Sequence, residues 1–439
     1  MTPITRRRFA QSSTAIASPM LFQPAPRPNI VLIMADDLGY ECLGSNGGLS
    51  YRTPNLDRLA AGGVRFEHAY STPLCTPTRT QLMTGKYTHR NWRAFGILDS
   101  SERTFGHMMT AAGYRTCIAG KWQLFSYNPP DYQPEWRGKG MRPEQSGFGD
   151  HCLWHAGHTE VKGSRYGRPV VTANGKLMTG LEDRYGEDIF CDHVCDFMTR
   201  HAASPFFVYY PMALTHDPFN PTPHSKEWKS GNRLENHTRF FKDMVEYMDH
   251  TVGRIVRHLE SLKLRERTLL LFYSDNGTHR SITSRTRGGE VGGGKGMTTD
   301  TGTRVPLIAN WPGAVRPAVL QDLIDSTDFV PTVAELAGAS TREFGAIDGR
   351  SFLPRLHGRP GNPRDWTFLD FDPRPGWDKD RYVHVRWARD QRFKLYGDGR
   401  LFDVTADPAE ERPLGPATGA EQRRRLGEVL QRMGGIKRG

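Results

Sequence analysis

Ile30-Val31-Leu32-Ile33-Met34-Ala35-Asp36-Asp37 runs five bulky apolar residues straight into a pair of carboxylates. A half-buried strand alternates apolar and polar side chains, so an unbroken run of this length reads as a strand covered on both faces. Phe206–Tyr210, Leu269–Tyr273 and Val305–Ala309 repeat the pattern. Between them Asn55–Ala61, Thr104–Ala112, Asp183–His201 and Asn236–Leu262 carry apolar residues at helical spacing. Buried strands alternating with helices predict an α/β fold, a mostly parallel central sheet flanked by helices. In such sheets reactive groups gather just beyond the carboxyl ends of the strands. Asp36-Asp37 stands at one such end, and Asp275-Asn276 follows Leu269–Ser274 in the same way. Either pair alone reads as a turn or a helix cap. Together they make an all-oxygen cluster suited to a hard divalent cation, Ca²⁺ or Mg²⁺.

From Asp365 the texture changes. Tyr382–Arg386, Phe393–Tyr396 and Arg400–Val404 read as short strands, with Gly397-Asp398-Gly399 as a hairpin turn, and Glu421–Met433 as a final helix. The expected organisation is an amino-terminal segment 1–27, an α/β domain 28–362, and a small antiparallel α+β domain 363–439 beginning after the Gly/Pro-rich stretch 358–363.

The chain has 439 residues, a net charge of +11, 37% apolar residues and six cysteines. That composition excludes disorder, collagen and a disulfide-dense mini-scaffold, and no run is long enough to span a membrane. Residues 1–27 hold four Arg and no acid, and residues 421–439 have a net charge of +4. The excess therefore sits at the ends, with no basic–aromatic interleaving to suggest nucleic acid. Arg6-Arg7-Arg8-Phe9, the weak apolar stretch after it and the Pro-rich residues 24–28 read as a twin-arginine-like export signal, which implies a periplasmic or secreted protein.

Pro73-Leu74-Cys75-Thr76-Pro77-Thr78-Arg79-Thr80-Gln81-Leu82-Met83-Thr84-Gly85-Lys86 is the most informative segment. Pro77 suits a first helical turn, which places Cys75 at a helix N-terminus where unpaired N–H groups favour an anion. Arg79, four residues on, shares its face. Cys-x-Pro-x-Arg followed by Leu-x-Thr-Gly-Lys resembles the signature of the sulfatase family, on the alkaline-phosphatase-like fold. Pro28–Tyr40, Thr53–Ala60, Gly120-Lys121-Trp122, Thr215–Phe219, Ser274–Gly277, Gly294-Lys295-Gly296 and Leu401–Pro408 follow the family's order, so the likeness covers roughly residues 28–412.

The resemblance implies a sulfuric ester hydrolase in which Cys75 is converted to formylglycine by a formylglycine-generating enzyme, and the hydrated aldehyde attacks sulfur. Asp36, Asp37, Asp275 and Asn276, with an oxygen of the modified Cys75, would hold the cation. Arg79 would hold the hydrate, Lys121 and Lys295 the sulfate oxygens, and His216 would lie near the leaving-group oxygen. Three positions depart from the family pattern. Gln123 stands where His is usual and cannot take a proton at neutral pH; Thr78 replaces Ser or Ala, and Asp300 replaces Glu. The expected substrate is a sulfated saccharide or small molecule. The alternatives are a phosphate or phosphonate ester hydrolase of the same superfamily and a catalytically weak polyanion binder, the latter motivated by Gln123.

Of the other candidates, Cys191 and Cys195 lack a second pair at zinc spacing and read as core. With Cys75 set aside an odd number of cysteines remains, which argues against a disulfide framework. His89 reads as a structural hydrogen-bonding residue. His279, Arg280 and the stretch His151–His158 are candidates for a pocket wall.

Overall fold

The apolar run quoted first forms strand β1, Asn29–Ala35, every residue of it buried. The computed structural model describes residues 27–126, 133–157 and 162–434. The export-signal reading, apart from Arg27, and His158 lie outside the described residues. β2 (Val64–Tyr70), β3 (Arg115–Lys121), β4 (Asp150–Trp154), β5 (Val171–Ala173), β6 (Lys176–Leu177), β7 (Phe206–Pro211) and β8 (Thr268–Ser274) follow. After a small hairpin, β9 (Thr283–Thr286) and β10 (Gly289–Gly292), come β11 (Leu307–Asn310) and β12 (Ala318–Asp325). Ten of these strands make one sheet in the order β12-β2-β11-β8-β1-β7-β3-β4-β5-β6.

The sheet is mixed, with five adjacent strands, β8-β1-β7-β3-β4, all parallel in its centre. β5 and β6 fold back at one edge, and β11 runs antiparallel to both β8 and β2. Because β11 opposes β8, it enters the sheet from the end where β8 leaves. The excursion 275–306 therefore starts and finishes at the carboxyl ends of the parallel strands. Pro306 has no N–H to give the ladder, which is why β11 begins at Leu307 and not at Val305.

Alternation along β1 feeds two cores. Val31 and Ile33 pack with Leu56 of α1 (Pro54–Ala61), with Phe190 and Val194 of α4 (Gly186–Arg200) and with the helix Phe240–Ser261. Ile30, Leu32 and Met34 pack with Leu82 and Met83 of α2 (Cys75–Thr84), with Met108 and Met109 of α3 (Phe105–Ala111) and with the helix Phe329–Ala337. Two of the expected helices start late for local reasons. Tyr185 is held extended ahead of α4, and the Asn236 side chain accepts the Phe219 N–H at 2.9 Å, keeping residues 236–239 out of the next helix.

The C-terminal sheet is antiparallel in the order β13 (Thr367–Phe371), β14 (Val385–Arg389), β15 (Phe393–Tyr396) and β16 (Leu401–Asp403). β14 begins at Val385, so the expected strand at Tyr382 is corrected: Tyr382 stays in the loop that enters β14. One face of this sheet packs on the helix Ala420–Gly434 through Phe368, Leu395, Leu426 and Val429. The other face, with Leu369, Phe371, Trp387 and Phe402, packs on Leu74, Cys75 and Phe95. Directly after residues 358–363, Arg364 is buried and its Nε donates to both oxygens of Asp328 at 2.8 and 2.9 Å.

All six cysteines are free thiols, with Cys191 on α4 buried in the core. His89 is buried, but neither ring nitrogen has a hydrogen-bond partner among the described residues. It packs instead between Tyr87 and Phe368, at ring distances of 6.3 and 5.4 Å, so its structural role is packing and the expected hydrogen bond is corrected. No helix among the described residues is long and apolar enough to cross a membrane.

Candidate active site

β1 and β8 are paired in register with Ala35 opposite Ser274, so the next residues, Asp36 and Asp275, emerge side by side. Asp37 turns back in the left-handed region at φ 62°, and its N–H donates to Asp275 Oδ1 at 3.1 Å. Asn276 Nδ2 donates to Asp37 Oδ1 at 2.8 Å. All four residues are fully buried. Burial and the neighbouring charge of Asp36 push the Asp275 carboxyl up to about 7. Burial raises Asp36 as well, but Lys121, His216 and Arg79 outweigh it and hold that carboxyl well below the usual range.

Asp36 Oδ1 and Asn276 Oδ1 have no hydrogen-bond partner among the described residues. Two orphaned acceptors within a buried set of carboxylates are the arrangement a hard cation satisfies. The residues present therefore fit a divalent cation. Donor atoms of Asp36, Cys75 and Asp275 also lie within 4.8 Å of one another.

Cys75 opens α2 after an extended Leu74, and no side chain caps that terminus. Every residue of α2 is buried. Thr78 explains its own presence: its hydroxyl donates to the Asp275 carbonyl at 2.6 Å and accepts the Thr72 N–H at 2.9 Å, tying the helix to the end of β8. Arg79 reaches Asp275 Oδ2 through Nε at 3.1 Å and Nη2 at 2.8 Å, and gives Nη1 to the Lys121 carbonyl at 3.2 Å. Lys121 ends β3 and places Nζ 2.7 Å from Asp36 Oδ2. Lys295, on the 275–306 excursion, places Nζ 2.5 Å from Asp37 Oδ2 and 3.0 Å from His216 Nε2.

Burial, assisted by Lys295 and Arg165 and opposed by Asp37, drives the His216 pKa down to about 4, so the ring is neutral at physiological pH. Its Nδ1 lies 2.6 Å from the Asp217 carbonyl. The tautomer that satisfies both contacts carries its proton on Nδ1 and turns the Nε2 lone pair to Lys295. Gln123 sits in the left-handed region at φ 49°, 3% exposed, with Oε1 buried and unpartnered among the described residues.

All ten sequence-predicted residues thus converge. Cys75, Gln123, His216 and Lys295 line a cavity of about 720 Å³, and the other six are joined by hydrogen bonds and ion pairs beside it. His279 and Arg280 line the same cavity, as expected. His151 and His155 do not, a correction to the expected wall. Residues 150–154 form β4, buried throughout, and the His155 carbonyl accepts the Gln123 N–H at 3.3 Å behind the cavity wall. Asp300 turns away to pair with Arg389 of β14. Sequence reasoning missed Lys162 and Arg165, and Trp377, Lys379, Arg381 and Tyr382 from the loop between β13 and β14. Such loops have no periodicity; the only available signal was the crowding of Trp, Lys and Arg in residues 377–382.

The family model described as Sulfatase matches residues 28–339. Arylsulfatase A of Bos taurus is 34% identical over 418 residues, covering 88% of this chain and 78% of its own. N-acetylgalactosamine-6-sulfatase of Mus musculus is 32% identical over 374 residues, covering 77% and 68%. A protein solved in complex with its substrate D-glucosamine-2-N,6-O-disulfate shares the fold, with a TM-score of 0.75 at 20% identity over 93% of this chain and 97% of that one.

Proposed function

Because this chain belongs to the sulfatase family and is a sulfuric ester hydrolase, we propose that it acts on sulfated carbohydrates through a formylglycine made from Cys75. The observation that carries the proposal is the placing of Cys75: it lies at the uncapped start of a buried helix, on the cavity wall and against the acid cluster. A formylglycine hydrate at that position would supply a nucleophilic hydroxyl and a second hydroxyl able to release sulfate. Asp36, Asp37, Asp275 and Asn276 would hold a divalent cation, proposed as calcium, which would supply charge withdrawal from the sulfate oxygens.

The chain's own groups do the rest. Arg79 and Lys121 fix the carboxylates Asp275 and Asp36 and set a positive field around position 75. Lys295 offers its one remaining N–H to a sulfate oxygen. With Nδ1 anchored on Asp217, His216 presents Nε2 to the cavity beside Lys295, so the proton required by the departing alcohol oxygen is held at this pair. Gln123 binds through its amide and moves no proton. The carbohydrate reading is supported by the substrates that the mouse relative and the solved complex are named for. The twin-arginine-like segment supports a periplasmic or secreted location, and the modification requires a formylglycine-generating enzyme in the host.

Mass spectrometry of the peptide Leu74–Lys86 from protein made in the native host tests the nucleophile. Aldehyde at position 75 is expected, and a thiol throughout the sample sinks the proposal. Paired assays on aryl sulfate and aryl phosphonate separate it from the phosphonate alternative. Chelation is expected to abolish turnover, with Ca²⁺ restoring it.

A further inference from the structure

The cavity beside Cys75 carries more positive charge than one sulfate monoester requires. Besides Lys295 it is lined by Lys162, Arg165, Arg280, Lys379 and Arg381. The acids on its wall are both engaged, Asp217 with His216 at 2.9 Å and Asp378 with Arg381 at 3.2 Å. Arg165 stands apart from the other cations. Its guanidinium lies 4.1 Å from the ring centre of Trp154, the residue is 6% exposed, and its buried Nη1 has no hydrogen-bond partner among the described residues. A buried charged donor left unpaired is costly, and native proteins keep one where a ligand completes it. Three residues earlier, the Lys162 ammonium lies 5.3 Å from the same ring. Burial and the Arg165 charge push Lys162 down to about 7, so the two basic groups act on one another across the Trp154 ring. The pair is close enough to the reaction centre for Arg165 to depress His216.

We infer that Arg165, with Lys162 beside it, is a second anion subsite that takes a sulfate or carboxylate group on the same saccharide whose sulfate ester reaches Cys75. The inference rests on the sulfated-carbohydrate reading above. It makes the enzyme selective for multiply anionic sugars, because a singly sulfated one leaves Arg165 unpaired. Trp377, 47% exposed on the cavity wall, offers an apolar face for the sugar ring.

Binding to the purified full chain, measured by calorimetry at fixed salt, tests this without requiring turnover. The probes are N-acetylglucosamine-6-sulfate, D-glucosamine-2-N,6-O-disulfate, and a uronic acid joined to N-acetylglucosamine-6-sulfate. At least one doubly anionic probe should bind roughly tenfold or more tighter than the singly sulfated one, as a charge-assisted pair implies. Which probe gains tells sulfate from carboxylate. Arg165→Gln should bring the ratio between probes to within about twofold, and Lys162→Gln should move it the same way, so one poorly folded variant does not decide the matter. Equal binding of all three probes to the unaltered protein overturns the inference, as does a ratio that survives both substitutions. Hydrolysis of the same probes is scored separately. A binding preference without turnover leaves the subsite standing and counts against these sugars as substrates; turnover without preference does the reverse.

Discussion

Gln123 occupies a backbone conformation that His also tolerates, and it faces the cavity with its Oε1 unpaired. Gln123→Ala should lower kcat/KM on an aryl sulfate about tenfold by removing a positioned hydrogen bond. Gln123→His should add an ionisation to the pH–rate profile near the ordinary imidazole range of about 6.5. Wild-type protein should lack it, and a flat profile for the variant would count against this placing of residue 123. Glu187 offers a second test at this scale, away from the chemistry. It is fully buried; its Oε2 accepts the Ala213 N–H at 3.2 Å and its Oε1 has no partner among the described residues. Burial pushes its carboxyl up to about 7 from an ordinary 4.5. Between those two values the folded chain binds a proton that the unfolded chain does not, so stability falls as pH rises through the window. Above pH 7 the loss is complete, about 3 kcal/mol at 1.36 kcal/mol per unit. Glu187→Gln should therefore melt higher than wild type at pH 8, with the difference shrinking toward pH 5.

α2 is located by one hydroxyl. Thr78→Val strips a donor from the Asp275 carbonyl and an acceptor from the Thr72 N–H, both buried. We expect a loss of about 1–3 kcal/mol in thermal melts. Activity should fall further than that figure suggests, because Cys75 moves relative to the acids. Elements of this kind also show what could be read from the sequence. β1, β7 and β8 were legible because strands buried on both faces leave unbroken apolar runs, and the acid pairs at their ends were legible as pairs. Their meeting depends on β1 and β8 being adjacent in register, which no local pattern states. β2, β3 and β4 were not read, because Arg65, Glu67 and His68 interrupt the first, Arg115 and Gly120 bracket the second, and Asp150 and His151 open the third. The antiparallel insertion of β11 is set by where the 275–306 excursion returns. The cations of the cavity wall come from loops whose placement depends on the whole sheet.

At the scale of the molecule the C-terminal sheet completes the candidate active site as well as following it in sequence. Its apolar face covers Leu74, Cys75 and Phe95, its entry loop gives the cavity Trp377, Lys379 and Tyr382, and Arg389 reaches back to Asp300. A chain ended at residue 362 should therefore be inactive and bind a hydrophobic dye strongly. Arg389→Met alone leaves a buried carboxylate unpaired and should cost about 3–5 kcal/mol. The double variant Asp300→Leu/Arg389→Met should cost less than the two single changes added together, as a melting-based double-mutant cycle would read.

The 3% exposure of Cys75 would set a schedule for the proposed modification. Once Leu369, Phe371 and Trp387 close over Leu74 and Cys75, an enzyme that must grip the backbone around the thiol has no approach. If Cys75 is converted as proposed, conversion has to come while the chain is still open, and folding itself is then the deadline. A synthetic peptide spanning Pro73–Lys86 should be converted by a formylglycine-generating enzyme, whereas folded protein carrying the thiol should stay unconverted under the same conditions. Conversion of the folded protein would show that the cover opens on its own. A host that folds this chain faster than it oxidises it should accumulate a stable protein that never turns over.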